Sequence, residues 1–227
     1  MENLTAELKP IDKDSEAIIL LHGLARTSRS MNNAVKLLAA YGYKIVNVDY
    51  PSRSASISEL AQKYIAEALK QCDTEGAKKI HFLTHSMGGI LLRDYLSNQN
   101  VDKLGRVVML APPNRGSEVV DKLGSWRLFY YLNGPAGLQL GTDNNSVPNR
   151  LGAVNFQLGI IAGNRTVNPF LSRLIPGVND GKVSVSRAQV EGMKDFIAMP
   201  YSHSFIMRRD AVIEQALHFI QQGCFVR

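Results

Sequence analysis

Residues 82–89 read FLTHSMGG, with an apolar strand pattern before them and a helical pattern after them. A sharp turn between a buried strand and a helix exposes one side chain at the top of a sheet, here that of Ser86. The residues two before and two after it must be small, and Gly88 meets that need. The helix N-terminus also directs free N–H groups and partial positive charge at the serine. The stretch therefore predicts a nucleophilic serine, with a helix-capping serine as the alternative.

Thr84 stands where the usual G-x-S-x-G pattern has its first glycine. Because threonine is β-branched and bulkier than glycine, we expect the helix to lie slightly further from the strand at this point. These five residues alone do not separate a nucleophile from a helix cap. The distinction depends on residues elsewhere in the chain.

Several further motifs follow one another in a specific order, although each is weak by itself. They are Leu21-His22-Gly23, the segment 84–89, the segment 110–117, Asn179-Asp180-Gly181 and His203. In this order they resemble the α/β-hydrolase fold family, and within it the small bacterial lipases and carboxylesterases. The similarity spans residues 15 to 220, almost the whole chain.

A serine hydroxyl becomes a good nucleophile only when a base takes its proton and an acid orients that base. In the family that the chain resembles, the acid and then the histidine follow the serine. Only His203 and His218 follow Ser86. His218 lies in a helical pattern, whereas His203 follows the last short strand pattern, where the base must stand. The predicted general base is therefore His203.

The predicted acid is Asp180, which lies on an Asn-Asp-Gly turn after the penultimate strand pattern and before His203. The alternative is a residue that forms an Asx-turn for purely local reasons. Asp195 competes for the role, but it begins the last strand, at the wrong end of the sheet to reach His203.

The resemblance also implies an oxyanion hole made of two backbone N–H groups, those of Leu24 and Met87. Leu24 follows an apolar strand that ends in His22-Gly23, and glycine lets this loop approach the reacting centre. We interpret His22 as a structural histidine that pins the loop by hydrogen bonds. His85 is interpreted as packing beside the turn rather than acting as a base.

By this resemblance the protein would be a cofactor-free serine hydrolase, with no metal, that cleaves carboxylic esters through an acyl-enzyme intermediate. Its partner would be a small-molecule ester or acyl substrate. A thioesterase or acyltransferase with the same triad remains an open alternative. A non-catalytic ligand-binding protein of this fold is disfavoured, because all three triad candidates are present.

At 227 residues the chain fits one domain, with the hydrophobic and charged contents (45% and 20%) of an ordinary globular protein. Its net charge is +6, but lysines and arginines are scattered and no aromatic residues are interleaved with them. This pattern argues against nucleic acid as a partner and is typical of a solvated surface that mildly favours anionic substrates.

No apolar run approaches the ~20 residues of a membrane helix, so we predict no membrane insertion. Residues 1–9 lack the pattern of a signal peptide. The two cysteines, Cys72 and Cys224, have no spacing that demands a disulfide, which favours a reducing, cytoplasmic location. The sequence leaves the oligomeric state open.

Strand and helix patterns alternate along the chain and predict a compact α/β-hydrolase fold with helices on both faces of a mostly parallel sheet. About six strands are expected, without two leading antiparallel ones, at 18–21, 43–49, 79–84, 106–111, 154–162 and 194–199. Helices are expected at 29–41, 57–71, 87–97 and 204–222. Ser56 and Glu59 form a predicted capping box for the second of them.

The stretch 112–153 interrupts this alternation and is rich in large apolar residues such as Trp126 and Phe129. It is predicted to be a small cap or lid insertion that offers an apolar wall for an acyl chain. The alternative is that its aromatic residues pack a helix on the sheet. The loop 164–179, with Phe170, Leu171, Leu174 and Ile175, would form the opposite wall.

Overall fold

The computed structural model of the chain describes residues 8–11 and 16–227. Six strands form one sheet in the order β2-β1-β3-β4-β5-β6, and every neighbouring pair is parallel. The strands are β1 (Glu16–Leu21), β2 (Lys44–Val48), β3 (Lys79–His85), β4 (Leu104–Leu110), β5 (Leu158–Gly163) and β6 (Asp195–Met199). The predicted sheet is confirmed, and within the described residues it is parallel throughout.

Helices connect successive strands, as parallel pairing requires. They are α1 (Asn32–Ala40), α2 (Ile57–Thr74), α3 (Met87–Asn98), α4 (Glu118–Leu123), α5 (Arg127–Leu138), α6 (Val147–Arg150), α7 (Pro169–Arg173), α8 (Val185–Ala188) and α9 (Asp210–Gln222). Helix α2 begins with the predicted capping box, in which the Ser56 hydroxyl accepts from the Glu59 N–H and the Glu59 carboxylate accepts from the Ser56 N–H.

Alternating side chains of the strands point into two separate hydrophobic cores, one on each face of the sheet. In β1, Ile18 and Leu20 are buried among residues of α1 and α9. The intervening Ala17, Ile19 and Leu21 are buried among residues of α2 and α3. Because both faces are covered, apolar residues predominate in the strands without a regular polar alternation, and the carboxyl ends of the strands form one edge of the sheet.

Two element boundaries differ from the predictions by four residues or more. Strand β5 begins at Leu158 rather than at 154, because the Val154 N–H donates to the Glu191 carbonyl of a loop instead of to a strand. Helix α9 begins at Asp210 rather than at 204. A 3-10 turn precedes it, and Arg209 with extended backbone angles separates the two.

The stretch 112–153 contains α4, α5 and α6, and it is fastened to α3 by the buried guanidinium of Arg93. That group donates to the main-chain oxygens of Asn114, Pro148 and Gly152. Most of the large apolar residues near α5 are exposed, with Tyr131 at 81%. The alternative that its aromatic residues pack a helix onto the sheet is therefore wrong for these side chains.

The N-terminal segment, the helices and the two cysteines bear on the predictions about location and membrane insertion. Of the segment predicted to lack a signal peptide, residues 1–7 lie outside the described residues. Across residues 8–11 and 16–227 we find no helix with the length and apolar character needed to span a bilayer. Cys72 is a buried free thiol and Cys224 an exposed one.

Candidate active site

Ser86 occupies the predicted turn between the end of β3 and the start of α3. Its backbone angles are φ 53° and ψ −123°, in a region that residues other than glycine rarely adopt. The Ser86 N–H donates to the Leu110 carbonyl at the end of the neighbouring strand, at 2.8 Å. This bond ties the strained turn to the sheet and holds the side chain at the carboxyl edge.

Three glycines let neighbouring segments approach this turn closely. A Cβ on Gly88 would lie 2.6 Å from the Leu21 carbonyl oxygen, and one on Gly23 would lie 2.8 Å from Nδ1 of His85. A Cβ on Gly89 would lie 3.2 Å from the Thr84 hydroxyl. The absent Cβ of Gly89 thus leaves the room that the Thr84 side chain occupies.

The structure brings Ser86, His203 and Asp180 together from three loops at the carboxyl edge of the sheet. His203 Nε2 lies 2.9 Å from Ser86 Oγ, and His203 Nδ1 lies 2.8 Å from Asp180 Oδ2. All three residues are buried. This geometry corresponds to an imidazole that donates its Nδ1–H to the carboxylate and accepts the serine O–H at Nε2.

The carboxylate of Asp180 makes both of the contacts considered from the sequence. Its Oδ1 accepts from the N–H groups of Lys182 and Val183, which is the local turn. Its Oδ2 faces His203, whose own N–H donates to the Asp180 carbonyl at 3.1 Å. Asp195 lies elsewhere, as predicted. Asp195 is the first residue of β6, and its carboxylate accepts a hydrogen bond from the Phe225 N–H near the C-terminus.

Leu24 and Met87, the predicted oxyanion donors, lie on two segments beside Ser86. Met87 is the first residue of α3, where backbone N–H groups have no partner within the helix. Leu24 lines the same cavity as Ser86 and His203.

His22 stabilises the loop that carries Leu24, as interpreted from the sequence. Its Nδ1–H donates to the Gly23 carbonyl at 2.9 Å, and its ring stacks on Tyr50 at 4.0 Å.

A cavity of about 230 Å³ opens onto Ser86 and His203. Part of its wall comes from the stretch 112–153, through Val119, Val120, Leu123, Phe129 and Leu140. From the loop 164–179, Leu171 lines the cavity. The prediction that Phe170, Leu174 and Ile175 also form this wall is wrong, because none of them lines the cavity. Phe170 is exposed to solvent, and Ile175 is buried in the protein interior.

Residues 18–212 match the alpha/beta hydrolase family, which is most of the chain. The chain belongs to the alpha/beta hydrolase family. The predicted family resemblance and the compact fold are thereby confirmed. Among curated protein sequences, no relative matches this chain.

Solved structures with the same fold include proteins named as a lipase, a carboxyl esterase and a phospholipase. The Bacillus licheniformis lipase BlEst2 in its propeptide form has a TM-score of 0.70 at 20% identity, covering 91% of this chain and 51% of that one. A metagenomic carboxyl esterase, MGS0156, has a TM-score of 0.68 at 18% identity, covering 86% and 67%. Phospholipase PlaB from Legionella pneumophila has a TM-score of 0.66 at 18% identity, covering 92% and 59%. The chain thus spans about half the length of that lipase form.

His85 of this alpha/beta hydrolase does more than pack beside the turn. Its Nε2–H donates to the carbonyl oxygen of His203 at 3.0 Å, and the two rings lie 5.1 Å apart. The bond holds the main chain of the candidate base. Sequence reasoning missed it, because adjacency to Ser86 shows only that the side chain points elsewhere, without showing which loop it meets.

Two further residues of the alpha/beta hydrolase were missed, Arg26 and Lys182, which both line the cavity. Each follows an identified residue by two positions, Arg26 after Leu24 and Lys182 after Asp180. That spacing was the available signal. The spacing is a weak signal, because positive charges scattered along a chain are usually solvated.

The buried histidines predict that acid destabilises this alpha/beta hydrolase. Burial lowers the pKa of His22, and burial together with nearby positive charge holds the pKa of His85 well below 6.5. Below pH 6.5 these histidines bind protons in the unfolded chain but remain neutral in the folded protein, so the free energy of unfolding decreases as the pH falls. Each such histidine lowers the free energy of unfolding by up to about 1.4 kcal/mol per pH unit below its unfolded pKa.

Urea denaturation at pH 7.5 and pH 5.5 measures this effect. We expect a lower free energy of unfolding at pH 5.5, and a smaller pH-dependent loss in the His85→Gln variant, which cannot titrate at this position. Equal stability of the parent at the two pH values would contradict the prediction.

Proposed function

We propose that this alpha/beta hydrolase is a serine esterase that cleaves carboxylic esters through an acyl-enzyme intermediate. The observation that carries the proposal is the unbroken contact series Ser86–His203–Asp180, with its distances of 2.9 and 2.8 Å. Structural neighbours that are named lipase and carboxyl esterase support the same class of reaction.

In the proposed acylation step, His203 accepts the proton of the Ser86 hydroxyl as its oxygen attacks the ester carbonyl. The negative charge that develops on the carbonyl oxygen is stabilised by the N–H groups of Leu24 and Met87, each donor contributing about 3 kcal/mol. His203 then protonates the leaving alcohol, and the acyl group remains on the serine.

Deacylation repeats these steps with water in place of serine. His203 accepts a proton from the water, and its return to Ser86 releases the carboxylic acid. Asp180 holds the imidazole in the required tautomer and stabilises its charged form. The bonds from Lys182 and Val183 to the other carboxylate oxygen support this role, because they fix the orientation of the carboxyl group.

The apolar wall of the cavity is proposed to receive the acyl chain. Phe129 and Leu140 contribute to this wall from the stretch 112–153, which we propose as the cap of a single domain. A cavity of about 230 Å³ suits a small-molecule substrate, and no cofactor enters the proposed chemistry.

A fluorophosphonate probe tests the proposal, because it reacts only with an activated serine. We expect one label per chain, located at Ser86 by peptide mass spectrometry, and none on the Ser86→Ala variant. Aryl esters of graded acyl length, compared with thioesters of the same acyl groups, then distinguish an esterase from a thioesterase. A parent protein that remains unlabelled would instead indicate a non-catalytic binding protein.

A further inference from the structure

Two positive side chains face the cavity in which the candidate nucleophile lies. Arg26 comes from the loop after β1, and Lys182 comes from the turn that carries Asp180. The other residues that line the cavity are apolar or neutral apart from His85 and His203, and no carboxylate is among them in the described part of the chain.

Neither positive group is neutralised by the protein. In residues 8–11 and 16–227, the Arg26 guanidinium and the Lys182 ammonium form no hydrogen bond or ion pair with another residue. By contrast, Arg187, close to the same segments, pairs with the carboxylate of Glu118 and donates to the Arg115 carbonyl. Lys182 is exposed and Arg26 is half-buried, so both charges remain accessible to a molecule that enters the cavity.

Both charges lie close to the reacting centre. Desolvation of the ammonium by the surrounding protein lowers the pKa of Lys182, and the charge of Arg26 lowers it further, against the attraction of Asp180. The same two cations help to lower the pKa of His85, the neighbour of Ser86. Asp180 offsets these charges only in part, because its oxygens accept from His203 and from two backbone N–H groups and form no ion pair with either cation.

Two like charges that line the same cavity repel each other, and this repulsion raises the free energy of the empty site. An anion between them would relieve that repulsion and gain charge-assisted hydrogen bonds. A guanidinium and an ammonium are suited to the oxygens of a carboxylate or a phosphate.

We propose that the cavity selects esters that carry a carboxylate or phosphate group near the scissile bond, and that Arg26 and Lys182 bind this group. The proposal rests on the proposed esterase function, and it specifies the substrate class of that site. The apolar wall receives the acyl chain, and the two cations lie beside it near Ser86.

Two matched substrate pairs test this selection. The carboxylate pair is monomethyl adipate and the methyl ester of adipic acid monoamide. The phosphate pair is 1-oleoylglycerol 3-phosphate and 1-oleoylglycerol. For the parent protein we expect a kcat/KM ratio of anionic to neutral substrate of about 10 or more in at least one pair, the value for a charge-assisted hydrogen bond. The pair that shows it identifies the carboxylate or the phosphate as the bound group.

The variants Arg26→Gln and Lys182→Met are expected to lower this ratio toward 1, about tenfold. Lys36→Met removes an exposed lysine of α1 that does not line the cavity, and it should leave the ratio unchanged. The proposal is overturned if the parent shows no preference in either pair. It is also overturned if the Arg26 and Lys182 variants lose activity equally on both members, since the cations would then act on the reaction itself.

A binding measurement keeps this proposal separate from the esterase proposal. Titration calorimetry of the Ser86→Ala variant with hexylphosphonate, hexanoate and hexanamide requires no hydrolysis. We expect at least one of the two anions to bind about tenfold tighter than the amide, and this difference to disappear when Arg26→Gln is added. Equal affinity for all three compounds would refute the anion site even if esters are cleaved.

Discussion

Replacing either Ser86 or His203 by alanine is expected to lower kcat for an activated aryl ester by about 10⁶-fold, because the two side chains act as one unit. For the same reason the double variant should be no slower than either single one. Asp180→Asn should cost about 10⁴-fold, since the amide stabilises the wrong imidazole tautomer. Single-turnover kinetics at saturating substrate measure these losses as changes in the chemical step.

Ser117→Ala is a matched control for the serine variant. Ser117 lines the same cavity, but its hydroxyl donates to the Lys182 carbonyl and contacts no imidazole. We expect its kcat to remain within about tenfold of the parent, the effect of one lost neutral hydrogen bond. Residual activity of Ser86→Ala above that of the control would eliminate Ser86 as the nucleophile. Additive losses in the Ser86/His203 double variant would show that the two residues act independently.

The Gly88→Ala substitution is expected to lower the free energy of unfolding by about 3 kcal/mol, the upper part of the range for overpacking. The new Cβ would lie 2.6 Å from the Leu21 carbonyl oxygen and 2.7 Å from that of His22. Both neighbours are main-chain atoms at the end of β1, so they cannot rotate away. Relief requires α3 to move away from the strand that leads to Leu24, and activity should fall with stability.

Gly89→Ala provides the comparison, because it is the same change one residue later in the same helix. Its Cβ would lie 3.0 Å from Sδ of Met109, the far part of a flexible side chain, and 3.2 Å from the Thr84 hydroxyl, so both contacts are with side chains and need shifts of only a few tenths of an ångström. We expect a loss of about 1 kcal/mol, as is usual where a side chain can adjust. Urea denaturation followed by circular dichroism measures both variants. Equal stabilities for Gly88→Ala and Gly89→Ala would refute the steric explanation.

Much of the fold could be predicted from sequence because its signals are local. The centre of β3 is apolar (Phe82-Leu83), and Gly88 follows Ser86 by two positions. Ser56 and Glu59 satisfy each other's free N–H groups. Chain order then limited the candidate base to His203, since the alternative histidine lies in a helical pattern. These inferences need only the neighbours of each residue and the rule that parallel strands end at one edge.

The features that were missed depend on contacts between distant segments. Nothing near His85 in the sequence indicates that its ring meets the main chain of His203, which is 118 positions away. Likewise, Phe170 and Leu171 have the same apolar character, yet only Leu171 lines the cavity. The direction of each side chain depends on how the short helix α7 lies against its surroundings, and hydropathy does not record that direction.

The Arg93 anchor limits how a substrate could enter the cavity. Its guanidinium donates hydrogen bonds to the carbonyls at positions 114, 148 and 152. Both ends of the stretch 112–153 are therefore attached to α3, the helix that begins just after Ser86. Between those ends, Asp121 bonds both the N–H and the hydroxyl of Thr142. A swinging arm pivoting at one end is incompatible with that double fastening. Substrate entry instead requires the middle of the stretch 112–153 to move outward while both of its ends stay attached to α3.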